Sequence, residues 1–307
     1  MTPKPPGIPR VRPAHPEDIP QIRSLLYLGN QAYFFTGWDP LEYWPAREPF
    51  LVLTRGTLVS AAMAAPLDTE ETAWLRLFAF LQGLTPQQAW EHLWPALRAL
   101  LAAQGVQWVM GLGMYPWLET LYQAAGFQED AEVITLHWQG PLPPWSDRPS
   151  PPVHLRLLRP QDVPAIAHVD ARSFPPRWRI GEKALQRVLP YLLLGLVAEQ
   201  EGRIVGYLLA METPRGGHIT RLGVLPEKRG QGIGGTLVHQ ALRYLVVRGV
   251  RWITVNTQRD NEIALRLYAR MGFRESRHVH RVWYASVQPF PQTQGQEERV
   301  WASQPLP

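Results

Sequence analysis

The strongest constraint on the fold of this chain is an internal repeat. Residues 11–22 (VRPAHPEDIPQI) are echoed by residues 155–166 (LRLLRPQDVPAI), and the aspartates of the two segments stand 144 positions apart. GVQWV at residues 105–109 matches GVRWI at residues 249–253 at the same spacing, and LYQAAGF matches LYARMGF 146 positions further on. Three matches in one order at a nearly constant spacing predict two copies of one domain.

The length and the distribution of proline agree with that prediction. A chain of 307 residues is long enough for two domains of ordinary size, about 100 to 200 residues each. The densest internal proline stretch, residues 141–152, has neither helical nor strand periodicity, which predicts an extended linker. We therefore expect domains at residues 1–140 and 153–287, followed by a flexible tail at residues 288–307.

The hydrophobic periodicity of the second copy predicts its secondary structure. Strands are expected at residues 153–158, 192–199, 204–211, 218–225, 252–256 and 278–286, and helices at residues 161–173, 232–248 and 262–271. This order predicts an α/β fold built on a mixed sheet, and the first copy fits the same order.

Composition excludes several classes of protein and of chemistry. Apolar residues make up 45% of the chain and charged residues 19%, and no apolar run approaches the ~18 residues of a membrane span. Cysteine is absent, which excludes disulfides, thiolate zinc sites, iron–sulfur clusters and a cysteine nucleophile. No metal site is predicted. The proline-rich start lacks the apolar core of a secretory signal, so we expect a cytoplasmic protein.

The charge of the chain is divided unevenly between its halves. Residues 1–145 contain 8 basic and 13 acidic residues, a net charge of −5, whereas residues 146–307 contain 23 and 13, a net charge of +10. This asymmetry predicts that the second half binds an anion and the first does not.

The clearest local motif is LGVLPEKRGQGIGGTLV at residues 222–238. A predicted strand ends there, and Arg229, Gly232 and Gly234 follow at the spacing R-x-x-G-x-G as a predicted helix begins. Glycines let the backbone approach a bulky anion, and the N–H groups at the start of a helix supply positive potential. The motif therefore predicts a phosphate-binding turn, although it matches neither the dinucleotide fingerprint nor the P-loop.

This motif, together with Asn261 seven residues before Tyr268, resembles the GCN5-related N-acetyltransferases (GNAT family), and the resemblance covers residues 153–286. It implies acetyl-CoA as cofactor, with its pantetheine arm lying along the strand and also bonded by Asn261. Backbone N–H groups at the turn would hold the pyrophosphate. The cofactor-binding residues implied are Leu222, Gly223, Val224, Arg229, Gly230, Gln231, Gly232, Ile233, Gly234, Gly235 and Asn261.

The same resemblance implies an N-acetyltransferase reaction. A primary amine, on a small molecule or a peptide N-terminus, would attack the acetyl thioester directly in a ternary complex. The Val224 N–H would stabilise the oxyanion and the Tyr268 hydroxyl would protonate the leaving thiolate. Both residues are the predicted catalytic groups.

The general base is left open by the sequence. Members similar to the ribosomal-protein alanine acetyltransferases carry a glutamate five residues before the motif asparagine, where this chain has Asn256. An asparagine side chain cannot accept the proton. His218, Glu212 and His280 remain as candidates, alone or through a chain of water molecules.

The first copy has lost the binding motif. Residues 85–91 (TPQQAWE) stand opposite the turn, contain no glycine, and place Trp90 opposite Gly234. Tyr115 replaces Asn261, although Tyr122 stands opposite Tyr268. The first domain is therefore predicted to be a degenerate copy that forms one wall of the acceptor site or stabilises the second domain. Tandem domains of this kind resemble the architecture of mycothiol synthase.

Two other functions compete with this interpretation. A catalytically silent sensor that only binds CoA would account for the missing base at residue 256. A nucleic-acid binder would account for the charge of the second half, but no nucleic-acid-binding motif accompanies that charge, so this function is disfavoured. The sequence identifies neither the acceptor, the length of the acyl chain nor the oligomeric state.

Overall fold

The computed structural model of the chain describes residues 8–29, 31–35, 40–45, 47–142, 144 and 152–287. These residues form two units. The first contains the described residues up to Asp130 and residues 281–287, and the second contains residues 131–280. Most of the predicted linker, residues 141–152, and all of the predicted tail, residues 288–307, lie outside the described residues.

The first unit is built on an antiparallel sheet with the strand order β1-β3-β4-β6-β2. A separate short strand, β5, pairs in parallel with β7. The elements of this part of the chain are β1 (Arg10–Pro13), α1 (Ile19–Leu28), β2 (Gln31–Phe34), β3 (Phe50–Arg55), β4 (Leu58–Ala64), β5 (Thr72–Leu75), β6 (Leu77–Phe80), α2 (Pro86–Ala103), β7 (Trp108–Gly113), α3 (Pro116–Ala124) and β8 (Gln128–Trp138).

The second unit contains strands in the order β9-β10-β11-β12-β13. Its pairs are antiparallel except for β12 and β13, which run in parallel over residues 217–219 and 253–255. The elements are β9 (His154–Leu157), α4 (Val163–Ser173), α5 (Glu182–Val188), β10 (Leu192–Gln200), β11 (Arg203–Thr213), β12 (Gly216–Val224), α6 (Ile233–Val247), β13 (Ile253–Gln258), α7 (Glu262–Arg270) and β14 (Arg274–Ser286).

The apolar face of α6 packs on the sheet of the second unit. Its buried residues Leu237, Val238 and Leu242 belong to the same cluster as Leu208 of β11 and Val255 of β13. Helical spacing places such residues on one side of the helix, and burial of that side fixes the start of α6 beside the end of β12.

Each repeat donates its last strand to the other unit. Residues 133–138 of β8, which belong to the first repeat, pair antiparallel with residues 253–258 of β13. Residues 281–286 of β14, which belong to the second repeat, pair antiparallel with residues 108–113 of β7. The two units therefore differ from the contiguous domains predicted at residues 1–140 and 153–287 by this exchange of strands, which sequence periodicity does not reveal.

The described part of the chain contains no helix that combines the length and the apolar character needed to cross a membrane.

The strand exchange predicts which unit depends on the end of the chain. Removal of residues 281–307 takes the β14 partner from β7, so amide exchange in residues 108–113 should accelerate at least ~10-fold. Amides of β13 should be unaffected. Hydrogen exchange measured by mass spectrometry checks this.

A chain that ends at residue 287 is the matched control, because it keeps the Val287 N–H bond to the Gln107 carbonyl (2.8 Å). The exchange of strands would be contradicted if residues 108–113 stayed equally protected in both truncated chains.

Candidate active site

One backbone edge of β12 has no strand partner at its end. Leu225 N–H donates to the Val205 carbonyl at 2.9 Å, and in an antiparallel pair alternate residues bond to the partner. Leu222 and Val224 therefore direct their N–H and C=O groups away from β11. On that side β13 pairs only with residues 217–219 of β12, so no described strand covers this edge. We call residues 222–224 the open edge.

The Val224 carbonyl at the open edge is bonded within the protein. It accepts from the Ser173 hydroxyl at 3.0 Å and from Arg229 Nε at 3.3 Å. Ser173 ends α4 and is buried. Nothing in the sequence marks it as part of the site, because its partners are about 50 positions away along the chain.

In the first unit the equivalent edge is filled by the chain itself. Phe78 and Phe80 of β6 stand 144 positions before Leu222 and Val224, and they pair with Tyr33 and Gln31 of β2. Tyr33 is fully buried and donates its hydroxyl to the Leu75 carbonyl at 2.9 Å. An added strand thus satisfies the backbone groups that remain open in the second unit.

The start of α6 presents uncapped backbone amides. Its N-cap, Gly232, has φ 81° and no side-chain cap, and the first bonded amide is Thr236 N–H, which donates to the Gly232 carbonyl at 3.0 Å. The amides of residues 233–235 precede the first helical bond, so they have no helical acceptor. Gly230 also has a positive φ, 76°. This geometry produces a turn whose N–H groups have no helical acceptor and lie next to the open edge.

The start of α2 in the first unit is closed by its own side chains. Thr85 Oγ1 accepts from Gln88 N–H at 3.1 Å, and Gln88 Oε1 accepts from Thr85 N–H at 3.0 Å. Pro86 at the first helical position has no N–H to offer. Trp90, opposite Gly234, is buried with its ring 5.4 Å from that of Phe78. At this position the first unit thus has a side-chain cap and a tryptophan ring, where the second unit has an uncapped helix start and a glycine.

Arg229 stabilises the turn through hydrogen bonds to neighbouring backbone carbonyls. Its N–H donates to the Pro226 carbonyl at 3.2 Å, and its Nη2 donates to the Ser173 carbonyl at 3.1 Å. Burial lowers the pKa of Arg229. Of the predicted pyrophosphate-binding amides, the one at Arg229 is therefore already bonded within the protein.

Two of the predicted residues lie on α7. Asn261 is its buried N-cap, and Asn261 Oδ1 accepts from Ala264 N–H at 3.1 Å. Tyr268 packs against Phe273 with the ring centroids 5.4 Å apart. Burial raises the pKa of Tyr268 above its usual value, so its hydroxyl stays protonated at neutral pH and can act as an acid.

Three polar side chains lie in neighbouring positions on the sheet face opposite to α6. His218 of β12 pairs in register with Thr254 of β13, and His218 Nδ1 lies 2.8 Å from Thr254 Oγ1. Asn256 follows two residues later and accepts from the Thr135 hydroxyl at 2.9 Å. Burial lowers the pKa of His218 to about 4. A neutral imidazole therefore faces this side of the sheet at neutral pH.

The other two candidate bases differ in environment. Glu212 is exposed near the end of β11, and His280 is partly buried in β14. Thr254 was not among the predicted residues, since an isolated threonine in a strand gives no functional signal.

Comparison with known proteins identifies the fold. Residues 163–273 match the model of the acetyltransferase (GNAT) family. This match contains α4, the open edge, α6 and α7, so the second domain is an acetyltransferase domain of that family.

Solved structures extend the likeness to the whole chain. A GCN5-related N-acetyltransferase from Sphaerobacter thermophilus is 20% identical with a TM-score of 0.58, over 92% of this chain and 97% of that one. A tandem GNAT protein from the clavulanic acid biosynthesis pathway is 15% identical with a TM-score of 0.63, over 92% and 100%. A likeness at these identities concerns the fold alone. It confirms the predicted α/β fold of two tandem GNAT-like domains.

The two glycines of the turn should respond differently to alanine. Gly232→Ala places a side chain in the left-handed region and should cost about 1 to 2 kcal/mol of unfolding free energy. Gly234→Ala should be neutral or stabilise by up to about 1 kcal/mol, because its Cβ would meet Leu267 at 3.6 Å and Val224 at 3.8 Å, ordinary contact distances. Urea unfolding of the matched pair checks this, and equal stabilities would contradict the backbone geometry of the turn.

Proposed function

The second domain of this chain belongs to the GNAT acetyltransferase family, and on that premise we propose that the chain is an acetyl-CoA-dependent N-acetyltransferase with one cofactor site. The observation that carries the proposal is the contrast between the two repeats. The open edge and the uncapped start of α6 lie together in the second unit, whereas β2 and the Thr85 cap occupy their counterparts in the first.

The residues at this place fit acetyl-CoA. Unbonded amides at the start of a helix suit a pyrophosphate, and residues 230–235 would supply them. The N–H of Leu222 and Val224 and the C=O of Leu222 suit an amide-bearing arm that lies beside the strand. Asn261 would bond the same arm. A net charge of +10 over residues 146–307 favours a polyanionic ligand in the second half.

When bound, acetyl-CoA supplies the acetyl thioester that a primary amine attacks. We assign the Val224 N–H to the developing negative oxygen, because this amide points away from β11. Tyr268 is the proposed acid toward the leaving thiolate, and its raised pKa keeps the proton on the hydroxyl until transfer. The acceptor is a small molecule or a peptide N-terminus.

We assign the base to His218. Thr254 Oγ1 lies 2.8 Å from His218 Nδ1 and 3.5 Å from the Gly217 carbonyl; we assign the tautomer with the proton on Nδ1, in which the imidazole donates to Oγ1 and the hydroxyl to that carbonyl. His218 Nε2 then keeps its lone pair and can take a proton from the amine.

Calorimetry with acetyl-CoA tests the cofactor site. The intact chain should bind one equivalent, and Gly234→Trp should weaken binding at least ~100-fold because the ring enters the space between α6 and the open edge. Gly234→Ala is the control and should bind like the unmodified chain. Two equivalents would show that the first domain also binds, and no binding would overturn the proposal.

A second experiment tests His218. His218→Gln should lower kcat about 100-fold or more and leave the Kd for acetyl-CoA unchanged within about twofold. Because the folded pKa of about 4 lies below the ordinary 6.5, the unfolded chain takes up the proton first as pH falls. The unmodified chain should therefore lose stability as pH falls from 6.5 to 4, and His218→Gln should lack this contribution.

Initial rates of thiol release and urea unfolding at several pH values provide both measurements, and Glu212→Gln is the control. A fall in kcat for Glu212→Gln alone would move the role of base to that residue. If the chain binds acetyl-CoA but releases no thiol with any amine, the silent sensor replaces the enzyme.

A further inference from the structure

The segment after α4, residues 174–180, takes a different course from its counterpart after α1. At the spacing of 144, Gln31 and Ala32 of β2 correspond to Pro175 and Pro176. In the first unit β2 covers the edge of β6. In the second unit residues 174–180 leave the open edge uncovered, and residues 176–178 form a short 3-10 turn. We therefore looked for interactions that hold residues 174–180 away from the open edge.

A buried charge network holds that segment. The carboxylate of Asp170 on α4 is fully buried, and its Oδ2 accepts from the Tyr207 hydroxyl at 2.5 Å and from Arg221 Nε at 2.7 Å. Its Oδ1 accepts from Ile180 N–H at 2.8 Å. Arg221 Nη2 in turn donates to the Trp178 carbonyl at 2.5 Å.

The network fixes the segment at three points. Ile180 and Trp178 are bonded through their backbone, and Arg221 Cζ lies over the Phe174 ring, 3.6 Å from the ring centroid. A buried ion pair is stable only when its remaining donors and acceptors are satisfied. Two of those partners belong to the segment, so its departure would leave buried polar groups unpaired.

The first unit lacks every member of this network. At the spacing of 144, Leu26 and Leu77 correspond to Asp170 and Arg221. By strand register Ala62 corresponds to Tyr207, since Ala62 pairs with Ala79 and Tyr207 pairs with Gly223. The three apolar residues lie in one apolar cluster. In the first unit, which lacks these charged residues, β2 pairs with the edge of β6.

Pro175 and Pro176 also prevent residues 174–180 from pairing with the open edge. A strand that covers an edge must donate N–H groups, and proline has none. Pro175 stands where Gln31 pairs with Phe80 in the first unit. The second repeat thus combines an anchor for the segment with residues that are unable to pair.

We propose that Asp170, Arg221 and Tyr207 are positioning residues that hold residues 174–180 off the open edge and so keep the cofactor site accessible. This inference rests on the proposed function, because it takes the open edge to be the site of acetyl-CoA. None of the three residues contacts the reacting atoms; they act through the segment.

The test removes from the second repeat the charge network and the two prolines, which the first repeat lacks. The variant Asp170→Leu, Tyr207→Phe, Arg221→Leu, Pro175→Gln, Pro176→Ala removes all the charges together, so no charged group is left buried alone. The change Tyr207→Phe keeps the ring and removes a hydroxyl that would lose its acceptor. Pro175→Gln with Pro176→Ala alone is the matched control, since it keeps the network.

Two measurements follow on the intact chain. The amides of Leu222 and Val224 should exchange at least ~10-fold more slowly in the five-residue variant, because the segment covers them. The Kd for acetyl-CoA should rise at least ~10-fold. The proline control should match the unmodified chain in both.

Amide exchange decides the inference. Unchanged exchange at Leu222 and Val224 in a folded five-residue variant overturns it, whatever happens to the Kd. If the unmodified chain binds no acetyl-CoA, the proposed function fails, but slower exchange in the variant still supports the role of the network.

A second variant covers the case in which the first does not fold. Asp170→Asn keeps the shape of the side chain and removes its charge, so the Ile180 amide should exchange at least ~10-fold faster. Asp162→Asn is the control, because it disrupts the Asp162–Arg156 ion pair (2.6 Å) in the same unit away from the segment. Equal Ile180 exchange in the two variants overturns the inference.

Discussion

Backbone hydrogen bonding at strand edges governs the organisation of both units. A strand whose N–H and C=O groups lack partners must be paired, shielded or reserved for a ligand. β7 and β13 are each completed by a strand from the other repeat, and the end of β6 is completed by β2. At Leu222 and Val224 the end of a central strand is left without a strand on one side among the described residues, and that open edge defines the candidate site.

The two repeats share one arrangement of elements but differ at the position of the candidate site. Both place a helix start beside the end of a central strand, and both carry a tyrosine on the following helix, Tyr122 and Tyr268. The first repeat fills the space with Trp90 and Tyr33 and caps the helix start with Thr85. The first repeat thus bonds within the chain those backbone groups that the second repeat leaves open.

Much of the fold and part of the site could be predicted from the sequence. The repeat spacing gave the tandem arrangement, and the R-x-x-G-x-G spacing located the start of α6, because glycine and helix signals act over a few residues. The exchange of strands could not be predicted, since an alternating strand does not specify its partner. The network of Asp170, Tyr207 and Arg221 was also missed, because its members are 37 and 51 positions apart from Asp170.

The exchange of strands makes the second unit depend on the first repeat. Because β13 takes its partner from the first repeat, deletion of that repeat would bare the edge of a central strand beside the site and favour association with other chains. The first repeat is therefore a structural part of the second unit, whether or not it holds a ligand of its own.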